Sequence, residues 1–262
     1  CKGSYVFHET VTRFKLPILN KSIFRIFGGK SMSMKKINGK RLALVTIGQA
    51  PRVDITPDMM QGLDAEYDIT EFGALDGLTK EEVARLAPKG GEECLVSRMT
   101  DGSEVVCSAA EIEKRLEHVF DKIDPEKFDA ILMLCSGKLE AAVHSLPVFS
   151  PYDSLSAEID ERRAAKDVVG VISPHADQIG KMQAHFTAED EARFASASPY
   201  AVDEFAKAGE KLKETDVIIM NCMGFDSAMA AKVEAAANVP TMTVRQLFMK
   251  HVGKSLMQKA PA

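Results

Sequence analysis

No CxxC pair occurs among the five cysteines of this 262-residue chain, Cys1, Cys94, Cys107, Cys135 and Cys222. An odd number without close pairs argues against a disulfide framework and against a zinc ribbon, and leaves free thiols as the expectation. No apolar run approaches the roughly 20 residues that a membrane-spanning helix needs. A GxSxG nucleophile elbow is missing and no histidine pair has metal-ligand spacing, so hydrolase and metalloenzyme readings find no support and no metal is expected. Gly28-Gly29-Lys30-Ser31 ends like a phosphate-binding loop, but position 24 is Phe where that motif requires Gly.

Acidic residues are scarce at one end. Of 38 Asp and Glu, one falls in residues 1–40, which hold nine of the 33 Lys and Arg. The remaining body is therefore acidic, and a nucleic-acid partner is not expected for it. Residues 1–40 read as a basic, poorly ordered N-terminal extension, with Met32 and Met34 just ahead of the first strand signal. A transit peptide, or lipid attachment at Cys1, is the alternative. Free thiols and the lack of a membrane span make a soluble, cytoplasmic protein the expectation.

Leu42-Ala43-Leu44-Val45-Thr46-Ile47 is a short apolar run closed by Gly48, which suits a strand covered on both faces in a parallel sheet. Residues 128–134, 168–173 and 216–221 share that character, and each is expected to lead through a turn into a helix. Thr79 with Glu82, and Ser108 with Glu111, have capping-box spacing. The second box precedes Ile112, Leu116, Val119, Phe120 and Ile123 at helical intervals. Asp226 can cap a helix carrying Met229 and Val233 that ends at Asn238 and Pro240, and a last helix from about Arg245 places Leu247, Phe248, Val252 and Leu256 on one face. Residues 95–99 and 104–107 read as a hairpin across Asp101-Gly102. Counting outward from a two-residue turn sets Val96 opposite Cys107.

The expected fold is α/β, with two similar doubly wound lobes of parallel sheet over 41–150 and 151–262 and a β-hairpin insertion in the first. The similarity rests on a repeat. Asp129-Ala130-Ile131-Leu132-Met133-Leu134-Cys135-Ser136-Gly137 and Asp216-Val217-Ile218-Ile219-Met220-Asn221-Cys222-Met223-Gly224 share aspartate, apolar run, Cys-x-Gly. Ligands of open parallel sheets bind beyond the carboxyl ends of the strands. A thiol there, at the start of a helix, is expected to have a lowered pKa. Two thiols facing each other across a cleft allow one to remove a proton α to a carboxylate while the other supplies one from the opposite face. Ser136, the N–H groups after the two cysteines and Arg52 are candidates for stabilising the enolate. Arg52, stiffened by Pro51, also suits a bidentate grip on a carboxylate. Gln49 and His175 are further candidate contacts.

At these residues the chain resembles the AroM family over about 41–257. The resemblance is carried by Ile47-Gly48-Gln49-Ala50-Pro51-Arg52, by Gly73-Ala74-Leu75-Asp76-Gly77-Leu78, by Leu134-Cys135-Ser136-Gly137, by Ser173-Pro174 with Gln178, and by Asn221-Cys222-Met223-Gly224-Phe225. That family is similar in layout to the cofactor-independent aspartate/glutamate and hydantoin racemases. The resemblance implies a ligand between two lobes, touched by Gly48, Gln49, Pro51, Arg52, Ser136, Gly137, Ser173, Pro174, His175, Met223 and Gly224, with no cofactor. The racemases commonly follow the first Cys with Asn-Thr and the second with Thr-His, whereas Ser136-Gly137 and Met223-Gly224 stand here. The expected activity is that of a racemase- or isomerase-like enzyme using Cys135 and Cys222 on a small carboxylate. A non-catalytic binding or sensor protein with the same cleft is the alternative, and a homo-oligomer is compatible with either.

Overall fold

The computed structural model describes residues 10–13, 41–60 and 67–257. Its first sheet comprises β1 (Thr10–Arg13), β2 (Arg41–Thr46), β3 (Asp68–Gly73), β6 (Ala130–Met133) and β7 (Val148–Phe149), in the order β1-β3-β2-β6-β7. All neighbours are parallel except β1, which runs antiparallel along β3. Apart from β1, the segment read as a basic extension lies outside the described residues, as does Gly28-Gly29-Lys30-Ser31. A hairpin, β4 (Cys94–Arg98) and β5 (Glu104–Ser108), forms its own ladder. The second sheet is all parallel, in the order β11-β10-β8-β9, from β8 (Val169–Ser173), β9 (Ala192–Ser196), β10 (Val217–Met220) and β11 (Thr241–Thr243).

The helices are α1 (Thr56–Met60), α2 (Lys80–Ala84), α3 (Ala109–Phe120), α4 (Pro151–Ala165), α5 (Ile179–Gln183), α6 (Phe205–Lys211), α7 (Ser227–Ala237) and α8 (Val244–Met257). No described helix is long and apolar enough to cross a membrane. Side chains alternate across a strand, and the alternation divides the interior into three. Leu42 and Leu44 of β2, Ala130 and Leu132 of β6, Val169 and Val171 of β8, and Val217 and Ile219 of β10 all join one cluster with Leu155 of α4 and Phe248 of α8. The opposite faces are covered separately, Ala43, Val45, Ile131 and Met133 against α3, and Ile172, Ile218 and Met220 against α6 and α7. Each central strand is thus buried on both faces, as its continuous apolar sequence requires.

Three local expectations are corrected. The hairpin pairs Leu95, not Val96, with Cys107. Its turn is one residue longer than the count assumed, Met99 N–H bonding to Ser103 O at 2.9 Å, with Gly102 at φ +91° supplying the positive angle such a loop needs. Cys94 and Cys107 remain free thiols. Thr79 and Glu82 close their capping box, but Ser108 makes no side-chain cap, since its hydroxyl serves the Glu92 carboxylate. No helix follows β6: the Glu113 carboxylate of α3 accepts the N–H groups of Glu140 and Ala141 at 2.9 and 2.8 Å, and His144 Nδ1 accepts that of Leu146 at 3.1 Å. Side chains take the donors that a helix would have paired internally.

Phe248 is 1% exposed within the cluster both sheets share. Phe248→Ala is expected to cost about 3–5 kcal/mol, seen as a lower urea midpoint at which probes placed in either sheet report one common transition. Separate midpoints for the two sheets would show that this core does not couple them.

Candidate functional site

β6 and β10 are hydrogen-bonded alike. Asp129 N–H donates to Arg41 O and Asp216 N–H to Val168 O, each at 2.8 Å. Their carboxylates accept the return N–H of Arg41 at 2.9 Å and of Val168 at 2.7 Å. At the far end Leu134 N–H reaches Val45 O, and Asn221 N–H reaches Ile172 O, both at 2.8 Å. The next residues are Cys135 and Cys222. Each sulfur accepts the N–H of the glycine two residues on, Gly137 at 3.4 Å and Gly224 at 3.3 Å. The Cys-x-Gly repeat is therefore one local structure built twice.

Both thiols line a single cavity of about 260 Å³. Its walls come from the carboxyl ends of both sheets and from β4, and the Ser136 hydroxyl reaches Asn221 O across them at 3.4 Å. Leu134, Met182, Met223, Ile47 and Ile55 make much of the lining apolar. Asn221 also lines the cavity; its amide nitrogen donates to Met182 Sδ at 2.7 Å, and its amide oxygen is buried without a hydrogen-bond partner among the described residues.

The expected lowering of the thiol pKa is reversed. Neither cysteine starts a helix: α7 begins at Ser227, capped by Asp226, and the first helix after Cys135 is α4 at Pro151. Burial dominates, pushing Cys135 up to about 12, with the Gly137 N–H opposing and the charge on Cys222 adding to the rise. Burial also raises Cys222, but the Gly224 N–H and the charges of Arg52 and Arg245 pull against it. Arg245 is buried, with Nε and Nη2 on Met223 O at 3.2 and 2.6 Å.

Of the residues the sequence singled out, Arg52, Ser136, Gly137, Pro174, Met223 and Gly224 join the two cysteines around the cavity, while Gly48, Gln49, Pro51, Ser173 and His175 are not in its lining. Arg52 keeps its place but not its expected role as a bidentate clamp. Nε and Nη2 already hold Asp54 at 2.9 and 2.8 Å, and Nη1 reaches Thr46 Oγ1 at 3.1 Å. Gln49 spends its amide on Leu75 O, Leu78 O and both donors of Thr100. At Gly48 a Cβ would fall 2.4 Å from Ser97 Oγ and 2.5 Å from Arg98 O, so glycine is needed for the hairpin to approach. Asp76 accepts the N–H groups of Ala50 and Gly73, both at 2.8 Å. The two motifs at 47–52 and 73–78 thus brace each other and the base of the site. Ser173 is buried in the sheet, and His175 is a half-exposed cap of the turn Ala176–Gln178.

Sequence reasoning missed Tyr152 and Tyr200, and gave no role to Lys138, Lys181 and Asn221, all of which line the cavity. Tyr200 follows the carboxyl end of β9, a position the strand-end rule would have flagged had that short, half-exposed strand been recognised. Burial and the nearby Cys222 charge raise its pKa, so its hydroxyl stays protonated.

Two solved structures share this layout. A glutamate racemase from Thermus thermophilus is 15% identical with a TM-score of 0.52, the match covering 85% of each chain. An aspartate racemase from Picrophilus torridus is 10% identical with a TM-score of 0.50, covering 83% of this chain and 94% of its own. At such identities the likeness is one of fold: an α/β architecture of parallel sheets resembling the Asp/Glu racemases. No curated protein matches the sequence. The family profile described as AroM protein matches residues 42–256, a span holding both halves of the repeat and every residue placed around the cavity, and the chain belongs to the AroM family.

Proposed function

We propose that this protein is a cofactor-independent racemase- or isomerase-type enzyme that moves a proton at the carbon α to the carboxylate of a small acid, with Cys135 and Cys222 acting from opposite faces. The observation that carries the reading is the pair of like-built thiols lining one cavity. Burial keeps both neutral near pH 7, so turnover starts by ionising one. Cys222 is that one: Arg52 acts on both thiols, Arg245 favours the Cys222 thiolate alone, and the Cys222 charge then opposes ionisation of Cys135. One thiolate beside one thiol is the state proton transfer across a carbon requires.

The Cys222 thiolate takes the α proton and becomes a thiol, the C–H electron pair passing into the enolate. Cys135 then delivers its proton to the other face and is left as thiolate, and exchange with solvent resets the pair. Ser136 and the protonated Tyr200 are among the hydroxyl donors lining the cavity and suit the enolate oxygens. Lys138 and Lys181 pair with Glu140 and Glu93 in half-exposed to exposed bridges, which cost little to break and free an ammonium for the carboxylate.

Incubated in heavy water with a panel of small amino and hydroxy acids, the protein is expected to wash deuterium into the α position of its substrate. Cys135→Ser and Cys222→Ser should each slow this by about 10²- to 10⁴-fold. Exchange undiminished in both variants rejects the mechanism, and ligand-dependent thermal stabilisation without exchange of any acid favours the binding reading.

The two thiols are also expected to alkylate at different pH. A thiol reacts as its thiolate, so a raised pKa shifts the onset of labelling upward. Cys222 should label first as pH rises, and Cys135 later, toward its value of about 12. Peptide mapping of iodoacetamide adducts reads the order, and the reverse order contradicts the assignment of Cys222 as first base.

A further inference from the structure

At the rim of the cavity, away from the paired thiols, a third cysteine stands beside a histidine and a carboxylate. Cys94 opens β4, from the first half of the chain, and His175 and Asp177 follow β8 in the second. One donor atom from each, the sulfur, an imidazole nitrogen and a carboxylate oxygen, lies within 4.8 Å of the others. We propose that these three side chains bind a single zinc-class divalent ion that links the hairpin to the loop after β8.

The donor set selects the ion. A thiolate and an imidazole together favour zinc and similar borderline metals over magnesium or calcium, which take oxygen. Bond lengths of 2.0–2.3 Å put tetrahedral ligands roughly 3.5 Å apart, so the trio must close by about 1 Å. Cys94 is buried and fixed in the strand, whereas His175 and Asp177 are exposed side chains on the loop. The side chains with room to move are thus the two that face solvent.

The backbone around the trio is already held. Gln178 Nε2 donates to Cys94 O at 3.2 Å, and Lys181 pairs with Glu93. His175 Nδ1 accepts the Asp177 N–H at 3.4 Å, which orients the ring and leaves Nε2 for the ion. The Lys181 charge beside the seat is offset by Glu93, leaving the thiolate and Asp177 to balance the ion. Three protein ligands leave one tetrahedral position for water, as in open zinc sites. Cys94 lines the cavity, so that position is reachable from it. On binding, the thiol proton is released to solvent.

Cobalt(II) reports on such a site through sulfur-to-metal charge transfer. The chelator-treated full chain is expected to take up one equivalent of Co²⁺ with a near-ultraviolet thiolate band, to lose the band when Zn²⁺ is added, and to melt at higher temperature with Zn²⁺. His175→Ala and Asp177→Asn replace exposed groups and leave the fold intact. Each should weaken Zn²⁺ binding at least as much as the roughly tenfold that loss of an outer-shell partner costs. Cys94→Ser should abolish the band, and Cys135→Ser and Cys222→Ser should retain it. Absence of a band in the wild type, its survival in Cys94→Ser, its loss in the cavity-thiol variants, or unchanged affinity in both His175→Ala and Asp177→Asn overturns the proposal. Circular dichroism of each apo variant separates loss of a ligand from loss of fold.

Discussion

A single aspartate anchors the central strand of each half. Parallel ladders slant and could slip by two residues without exchanging faces. Asp129 closes a ring with the start of β2, and Asp216 does the same with β8, each through a backbone N–H and a charge-assisted carboxylate bond. On the opposite edges, Ile131 and Ile218 donate to Pro147 O and Pro240 O at 2.9 Å. With register set alike, a cysteine six residues beyond each aspartate emerges at the same height. Everything said of the cavity depends on that placement.

The packing that creates the cavity also governs its electrostatics. Central strands buried on both faces carry the thiols out of water, and burial outweighs the glycine N–H and the arginines in setting the direction of their shift. Asymmetry enters through the surroundings, because Arg52 favours charge on both thiols but Arg245 on Cys222 alone, while Cys135 experiences the Cys222 charge as repulsion. Two sites of the same backbone structure are thereby suited to unlike protonation states. The opening loop contributes indirectly, with Gln49 and Asp76 bracing the chain that presents Arg52.

The two sheets meet along a continuous apolar seam closed by α4 and α8. Polar contacts continue it above the core: Ser136 with Asn221, Gln178 with the Cys94 carbonyl, Lys181 with Glu93. The hairpin is thus both a wall of the cavity and a contact between the halves, a position from which a bound ion or ligand at the rim would couple them.

The four apolar strands, the hairpin, the α/β class and the paired Cys-x-Gly motif were legible in the sequence because each depends on local pattern: continuous apolar runs, capping residues and a spacing repeated twice. The family could be recognised from the same segments. Whether a motif faces a ligand or braces another motif was not legible, since Gln49 and Gly48 are occupied by residues 26 to 51 positions away. Nor were Tyr200 and Arg245, which reach the thiols only through folding. Sequence alone determined the four continuous apolar strands β2, β6, β8 and β10, the hairpin, and that two cysteines end equivalent strands. Tertiary structure decided that Asp54 claims the Arg52 guanidinium, that Glu113 and His144 replace an expected helix, and that the thiols are raised rather than lowered. The physical reason is that hydrogen-bond partners and desolvation depend on which distant groups the fold brings near, whereas strand and cap signals depend on neighbours along the chain.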